Sequence, residues 1–304
     1  NMRIRTLTPA ATELFHVISA DVGRRITDIT MRFQDESLVQ DAEAVLETLQ
    51  PKETQVQSEA GRSYVRRIVP YRSNENRIDG VVLTFSDVTR LEAITSKLRQ
   101  RERQQAALAE LGQFALQDHD LQSLFEKAVE SVSDALDTDL VKLLELLPGE
   151  KEMLLKAGIG WQDGLVGERT VGTGDQSQAG HTLRSNAPII VEDLHTEVRF
   201  SGPPLLVDHG VVSGMSVIIR GDAKRTYGVL GTHTRQKRIF TDDDVNFLVS
   251  VSHILSSAIE EEKVTTALRE SEGRFRMLAD SMSQLAWMAD ELGHGKWYNK
   301  RWHD

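Results

Sequence analysis

The chain has 304 residues, of which 39% are hydrophobic, and its 46 acidic and 36 basic residues give a formal net charge of −10. This length predicts two or more domains, each with enough apolar residues for a core. The acidic balance argues against a nucleic-acid partner, because phosphate binding needs a basic face. Since there is no cysteine, disulfides, thiolate metal sites and thiol nucleophiles are excluded.

No apolar run is long enough to cross a bilayer, and the N-terminus lacks the pattern of a signal peptide. The absence of cysteine suits a reducing compartment. We therefore expect a soluble, cytoplasmic protein with no membrane partner.

The first part of the chain has the pattern of a small antiparallel sheet. Thr8 is a good helix N-cap, and Pro9 suits the first helical position. Residues 64–70 and 80–85 are apolar and rich in β-formers, and the residues between them are polar. This pattern predicts a β-hairpin.

The hairpin ends at residues 85–90, which read FSDVTR. Thr89 and Glu92 have the spacing of a capping box, so the domain exit and a helix start would coincide, with Asp87 in the same signal joint. Together with NMRIRTLTPAATELF at residues 1–15, these residues resemble a PAS domain, of the kind that follows chemotaxis receptor methyltransferases in multi-domain sensors. The resemblance implies a PAS domain over residues 1–89 that lacks its first strand.

A connecting helix is predicted over residues 90–118, because this stretch is rich in Leu, Ala, Gln, Glu and Arg. Leu91, Ile94 and Leu98 begin an apolar seam. Arg101 and Gln105 interrupt that seam. The pattern therefore favours a helix that packs on its own domain and on a partner over a continuous coiled coil.

Helix and strand signals alternate in the next 140 residues or so, a span of the size of one domain. Asp120 suits a helix N-cap, and residues 213–220 and 227–234 form a second predicted hairpin around a polar turn at 221–224. Thr241 precedes three aspartates, which favours a helix start. The apolar positions of this helix are spaced at Val245, Leu248, Val251, Leu255 and Ile259.

This order resembles the second half of a GAF domain, with GDQSQAGHTLRSNAPIIVEDL from residue 174 and RIFTDDDVNFLVSVSHILSSAIE at the closing helix. The resemblance implies a GAF domain over residues 119–260 that binds or senses, with residues 193–213 covering any pocket. The candidate ligand-binding residues are Arg199, Phe200, His209 and Ser213. Alternatively, Phe200 and residues 205–207 fill the core, and Arg199 pairs with Asp193 or Glu197.

The sequence does not identify the ligand of this domain. Members of this family that bind cyclic nucleotides carry an Asn-Lys pair and a later Phe with Asp-Glu, whereas here Phe240 is followed by Asp244 and Val245. We therefore expect no binding of cyclic nucleotides. The absence of cysteine excludes a covalent thioether-linked bilin, which leaves the cofactor unknown, with non-covalent bilin, haem or a small metabolite as alternatives.

Catalytic motifs are incomplete throughout the sequence. The glycine pairs at residues 158–160 and 172–174 lack the Lys-Ser/Thr of a phosphate loop. His195 and Glu197 have the H-x-E spacing of zinc deaminases, but the required cysteines are missing. His119 begins like a kinase acceptor box without its following basic residue and proline. We expect neither a catalytic nor a metal site.

The closing helix continues without proline, which predicts a connecting helix over residues 261–280. Residues 285–289 and 296–302 then resemble the opening strands of a second PAS domain over 281–304. The expected fold is α+β, a PAS-like and a GAF-like antiparallel sheet domain joined by long helices. The chain would be a slice of a longer polypeptide.

The arrangement favours a non-catalytic sensory, relay and dimerisation segment of a bacterial histidine kinase, with kinase and response-regulator domains as downstream partners. Alternatively, it is the input or scaffold segment of another output enzyme, such as a chemotaxis methyltransferase hybrid or a diguanylate cyclase. Self-association as a parallel homodimer is expected. The predicted dimer surface comprises Leu91, Ile94, Leu98, Leu255, Ile259 and Leu268.

Overall fold

The computed structural model describes residues 2–9, 11, 17–29, 33, 35–117, 120–221, 225–292 and 294–302. Helices and antiparallel sheets within these residues confirm the α+β fold. The chain divides into two units, Asn1–Arg99 and Gln100–Asp304. Most of the helix predicted after Thr8, the acceptor-like His119 and the centre of the turn at 221–224 lie outside the described residues.

The first unit is built on a helix, α1 (Leu38–Thr48), and three strands in its described part, β1 (Lys52–Gln57), β2 (Ser63–Arg72) and β3 (Ile78–Asp87). The strands form an antiparallel sheet in the order β1-β2-β3, so the predicted hairpin is confirmed as β2 and β3. Helix α1 buries Leu38, Ala42 and Val45 against Ile68 of β2. These three positions share one helical face.

A long helix, α2 (Thr89–Ala115), follows β3 and confirms the predicted connecting helix. The remaining helices are α3 (Leu121–Leu136), α4 (Gln178–Ser185), α5 (Pro204–Val207) and α6 (Asp242–Ser281). The strands of the second unit are β4 (Leu140–Leu146), β5 (Glu152–Ile159), β6 (Thr170–Gly172), β7 (Ile189–Val191), β8 (Ser213–Arg220), β9 (Thr226–Thr234), β10 (Trp287–Ala289) and β11 (Gly295–Tyr298).

Strands β4 to β9 form an antiparallel sheet in the order β6-β5-β4-β9-β8-β7. Successive side chains on a strand point to opposite faces, so the sheet has two cores. One face packs against α3, α6 and Leu111 of α2 in a large apolar cluster. The other face packs against α4 and α5 through smaller clusters. The predicted hairpin of β8 and β9 lies at the centre of this sheet.

Two helix starts in this unit are confirmed. The Asp120 carboxylate accepts the Ser123 N–H at 2.8 Å at the start of α3. Thr241 and Asp244 form a reciprocal capping box at the start of α6. Both devices are local in sequence, which is why residue identity alone predicted them.

The capping box predicted from Thr89 and Glu92 is wrong. Helix α2 begins at Thr89 itself, whose hydroxyl accepts the Ser63 N–H at 3.0 Å, and the Glu92 carboxylate accepts a hydrogen bond from Gln55. The Asp87 carboxylate accepts the Thr89 N–H at 3.0 Å. The Thr89 hydroxyl therefore bonds to Ser63 of β2 and does not cap the helix. The Asp87 carboxylate, which accepts the first N–H of the helix, caps it instead.

Two residues of the predicted dimer surface lie inside a core instead. Leu255 and Ile259 are buried with Leu248 and Val251 on the face of α6 that packs against the sheet. They share one helical face because they are spaced three or four residues apart. The other four are more than half exposed: Leu91 by 64%, Ile94 by 55%, Leu98 by 56% and Leu268 by 60%.

The C-terminal strands β10 and β11 form an antiparallel pair. The buried Asn299 side chain accepts the Ala286 N–H and donates to the carbonyl oxygens of Ala279 and Gln284. It therefore ties the pair to the end of α6. Across the described part of the chain, no helix combines the length and apolar character needed to span a membrane.

Candidate ligand-binding site

Two of the residues predicted from the sequence have structural roles. Arg199 forms a two-point ion pair with Glu197, with nitrogen–oxygen distances of 2.9 and 2.6 Å, and donates to the Ile190 carbonyl. The hydrogen bonds from Arg199 lower the pKa of Glu197 to about 2. Phe200 is 3% exposed and packs with Ile189 and Val191. The alternative of an Arg199–Glu197 pair and a core Phe200 matches this arrangement.

The other two predicted residues also have partners within the protein. The His209 Nδ1 bonds to the Leu205 carbonyl at 2.8 Å, and its Nε2 accepts the Gln162 N–H at 3.1 Å. The Ser213 hydroxyl donates to the Glu192 carbonyl at 2.5 Å and accepts the Arg238 N–H at 2.9 Å. Arg199 and Phe200 are in contact, with the guanidinium carbon 5.7 Å from the ring centroid. Each of the four thus contributes to the structure of the segment after β7.

A different polar cluster, not predicted from the sequence, lies on the α4–α5 face of the sheet. We use the name buried polar cluster for three buried residues: Lys142 on β4 and His233 on β9, which share one sheet face, and Gln178 on α4, the helix that packs over that face. Lys142 and His233 are 0% exposed and Gln178 is 1% exposed. The Lys142 ammonium, both ring nitrogens of His233 and both amide atoms of Gln178 have no hydrogen-bond partner among the described residues.

The strand register brings Lys142 and His233 together. Lys142 lies opposite Gly231 on β9, and Leu140 lies opposite His233. Because His233 follows Gly231 by two residues, the Lys142 and His233 side chains point to the same face of the sheet. A Cβ added at Gly231 would lie 3.1 Å from Lys142 Cε and 3.3 Å from His233 Nε2. The missing side chain at Gly231 therefore makes room for both.

A second glycine shapes the same place. Gly214 on β8 lies opposite His233, and a Cβ there would lie only 2.1 Å from His233 Nδ1. Glycine within a strand often marks such a close approach. This was the sequence signal that could have indicated the site, together with a lone lysine in the apolar strand LVKLLEL.

Helix α4 places Gln178 over this face. Thr182, one helical turn later, bonds through its hydroxyl to Ser216 at 2.8 Å, and Ser216 lies opposite Gly231. Residues four apart share a helical face, so Gln178 also faces the sheet. Ser177 caps the helix by accepting the Gly180 N–H. The cap and the hydroxyl pair together fix the position of α4.

Apolar side chains surround the cluster. Trp161 donates its indole N–H to the Val141 carbonyl at 2.7 Å, and its ring centroid lies 6.2 Å from that of His233. The neighbouring apolar residues on this face include Leu140, Leu144, Leu206 and Val229. A polar group in such surroundings is costly unless it has a partner.

Burial changes the charge state of both basic residues. It lowers the pKa of Lys142 to about 7. Burial, with the charge of Lys142, lowers the pKa of His233 well below its ordinary value. At neutral pH His233 is therefore an uncharged ring with one donor and one acceptor, and Lys142 is partly protonated. Perturbed titratable groups that converge in an enclosed place are a common feature of binding sites.

The cluster is suited to hydrogen bonding and not to holding a metal ion. No group of three His, Cys, Asp or Glu side chains that could bind a metal occurs within the described residues. Lys142 and Gln178 offer N–H donors, and Gln178 and His233 each offer an acceptor. An arrangement of this kind can orient a small polar molecule.

Comparisons with known proteins assign both units. The family model of the PAS domain matches residues 1–89, and that of the GAF domain matches residues 120–259. An uncharacterized 104.1 kDa protein in the hypE 3' region of Rhodobacter capsulatus is 34% identical over 88 residues, which are 29% of this chain and 9% of that protein. The chain thus spans a small part of this relative.

One solved structure shows the same fold in the second unit. The GAF domain of a phosphoenolpyruvate-protein phosphotransferase from Coxiella burnetii is 18% identical, with a TM-score of 0.50, over 55% of this chain and 98% of that one. The corresponding Acinetobacter domain is 20% identical, with a TM-score of 0.47, over 54% and 97%. Residues 1–89 thus form a PAS domain and residues 120–259 a GAF domain.

Proposed function

We propose that this chain is the sensory and relay segment of a signal-transduction histidine kinase, in which the buried polar cluster receives a small ligand and helices α2 and α6 carry the response. PAS and GAF domains in one chain are typical of a sensory signalling segment. The kinase output and the dimer are the specific parts of this proposal. The second candidate is the input segment of another output enzyme.

The observation that carries the proposal is a carboxylate shared by the two long helices. Asp244 completes the capping box that starts α6, and its Oδ1 accepts hydrogen bonds from Gln100 and Gln104 of α2 at 2.7 and 3.0 Å. Arg101 of α2 also pairs with Asp243 at 3.0 Å. A movement of α2 therefore acts directly on the first turn of α6.

The size of this coupling fits a signalling role. A helix cap contributes about 1 kcal/mol, and the conformations of a signalling protein are separated by only a few kcal/mol. Helix α6 runs from this cap along the sheet and continues to Ser281, well beyond Ile259, the last of its residues in the apolar cluster against the sheet. A change at its start can thus reach the residues beyond the domain.

The relay is tested by a fusion to the catalytic core of a histidine kinase, with insertions of one to seven residues after Lys263. Because a helix turns once in about 3.6 residues, a relay through α6 makes autophosphorylation rise and fall with that period. A smooth decline with insertion length would reject the relay. The unfused chain should take up no labelled phosphate from ATP, because its sequence lacks an ATP lid.

The dimer is tested with exposed positions only. We expect the chain to be a dimer at roughly tens of micromolar, a range in which weak interfaces still associate. Leu98→Glu with Leu268→Glu should shift it to monomer while circular dichroism stays unchanged. Gln105→Glu, an exposed change on α2, is the matched control. Light scattering that reports a monomer for the unmodified chain would make these helices spacers.

A further inference from the structure

We infer that the buried polar cluster binds a small monocarboxylate that also carries a hydroxyl group. The inference rests on the proposed sensory function and names the chemical class of its ligand. It is drawn from three side chains, Lys142, His233 and Gln178, whose polar atoms are buried and have no partner among the described residues.

The charge of the cluster selects an anion. Its cationic group, Lys142, has no acidic partner among the described residues, unlike other lysines such as Lys52 and Lys156. An uncompensated charge in an apolar interior is strongly unfavourable, so a ligand of opposite charge gains the most there. A single carboxylate balances a single ammonium. A phosphate would bring more negative charge than one lysine offsets.

The hydrogen-bonding pattern selects the second group of the ligand. The amide N–H of Gln178 and the ammonium of Lys142 are donors that suit the two carboxylate oxygens. The amide oxygen of Gln178 and one ring nitrogen of the neutral His233 are acceptors, which a carboxylate cannot satisfy. A hydroxyl group on the same molecule supplies the missing donor.

The surroundings limit the ligand to a small molecule. The cluster has almost no exposed surface, and Trp161, Leu144, Leu206 and Val229 lie around it. The missing side chain at Gly231 makes room only for the Lys142 and His233 side chains themselves. Large planar cofactors such as haem or bilin would have to displace these core residues, which is costly in a close-packed interior.

The inference is tested by calorimetric titration of the full chain with acetate, glycolate and lactate at pH 7. Methylammonium and inorganic phosphate are the charge controls, and cyclic AMP and cyclic GMP test the expectation against nucleotides. We expect at least one hydroxycarboxylate to bind with a Kd at or below about 1 mM. Acetate should bind more weakly, and the controls should not bind.

Variants connect the binding to the cluster. Lys142→Met and Gln178→Leu should each weaken binding at least tenfold, which corresponds to about 1.4 kcal/mol. Lys151→Met, an exposed lysine in the turn before β5, should leave it unchanged. Circular dichroism confirms that each variant is folded. Binding that survives Lys142→Met, or no binding by any carboxylate at about 1 mM, overturns the inference.

The affinity should also depend on pH. A carboxylate binds the protonated lysine, so its affinity falls about tenfold per pH unit above 7, where free Lys142 loses its proton. The other titratable groups on the elements over this face are His233 on β9, His181 on α4 and His209 after α5. Lys142→Met should abolish this dependence, and the single-histidine variants should not.

The outcomes for the ligand and for the relay are separable. Carboxylate binding without any change in amide hydrogen exchange along α6 would keep this inference and reject the proposed relay. Periodic kinase activity in the insertion series without carboxylate binding would do the reverse.

Discussion

The PAS and GAF domains both contain a cationic side chain with no exposed surface, and they differ in how its charge is matched. Arg66 on β2 donates to Asp35 at 2.6 Å and also pairs with Asp41. Lys142 on β4 has no such partner in the part of the chain that the structure describes. The comparison separates a buried cation that is paired within the fold from one that has no partner among the described residues.

The Arg66 network consists of side chains of the PAS domain. Asp41 also accepts hydrogen bonds from Ser37 and Lys52. Burial alone would raise the pKa of Asp41, but these bonds and the charges of Arg66 and Lys52 keep it below its ordinary value. The carboxylate thus remains ionised in the folded domain, as the arginine requires.

The largest expected effect comes from removing Arg66. Arg66→Met leaves Asp35 and Asp41 buried with unbalanced charge, and we expect a destabilisation of about 3–5 kcal/mol. Amide hydrogen exchange along β2 and β3 under increasing urea measures it. Tryptophan fluorescence should not change, because all four tryptophans, Trp161, Trp287, Trp297 and Trp302, lie in the second unit.

The neighbouring Arg67 is the matched control for Arg66. It lies on the same strand, is more than half exposed and pairs with Glu53 at 3.3 Å. Exposed pairs of this kind contribute about 0–1 kcal/mol. Equal losses for Arg67→Met and Arg66→Met would contradict the structural role of the buried network.

The second effect is a dependence of stability on pH. Folding lowers the pKa of Lys142 from 10.5 to about 7, so between these values the unfolded chain binds more protons and stability rises with pH. Because the unfolded chain binds up to one proton more than the folded chain, the free energy of unfolding should increase by about 2 kcal/mol from pH 7 to pH 9. Urea unfolding followed by tryptophan fluorescence should show that Lys142→Met lacks the gain. Lys151→Met should retain it.

Sequence patterns predicted those features that local residues decide. The hairpins and the caps at Asp120 and Thr241 follow from residues that are neighbours in the chain. The hydroxyl of Thr89 instead bonds to Ser63, a contact across 26 positions that no local pattern contains. Only the three-dimensional packing shows that Leu255 lies in the core while Leu268 is exposed, since both are leucines on one helix.

The buried polar cluster could not be predicted for the same reason. A single lysine in the strand LVKLLEL is compatible with an exposed edge. Its burial becomes evident only when Gly231 is placed opposite it and α4 covers the face. The candidate ligand-binding residues predicted from the sequence therefore lie after β7 and not in this cluster.

A smaller effect is expected at Lys52, the half-exposed member of the Arg66 network. Lys52 pairs with Asp41, but its side chain is 49% exposed. Solvent screens such a pair, so Lys52→Ala should cost no more than about 1 kcal/mol. Amide hydrogen exchange along β2 under increasing urea measures this loss and allows it to be compared with that of Arg66→Met. A loss as large as that of Arg66→Met would mean that Lys52 is as important as Arg66 in balancing the buried carboxylates.

The smallest effect concerns the space beside Lys142. In Gly231→Ala the new Cβ meets Lys142 Cε at 3.1 Å, the end of a flexible side chain, and alanine in a strand regains about 0.5–1 kcal/mol over glycine. The two terms oppose each other, so stability should change by less than about 1 kcal/mol, while carboxylate affinity falls because the added Cβ displaces the Lys142 side chain. Gly228→Ala on the same strand is the contrast, since its Cβ would meet the Leu144 carbonyl oxygen at 1.7 Å, and backbone cannot yield as a lysine can. If Gly231→Ala destabilised the domain as much as Gly228→Ala, Lys142 would be held rigidly in place. It would then resemble Arg66, and the distinction between the two buried cations would be lost.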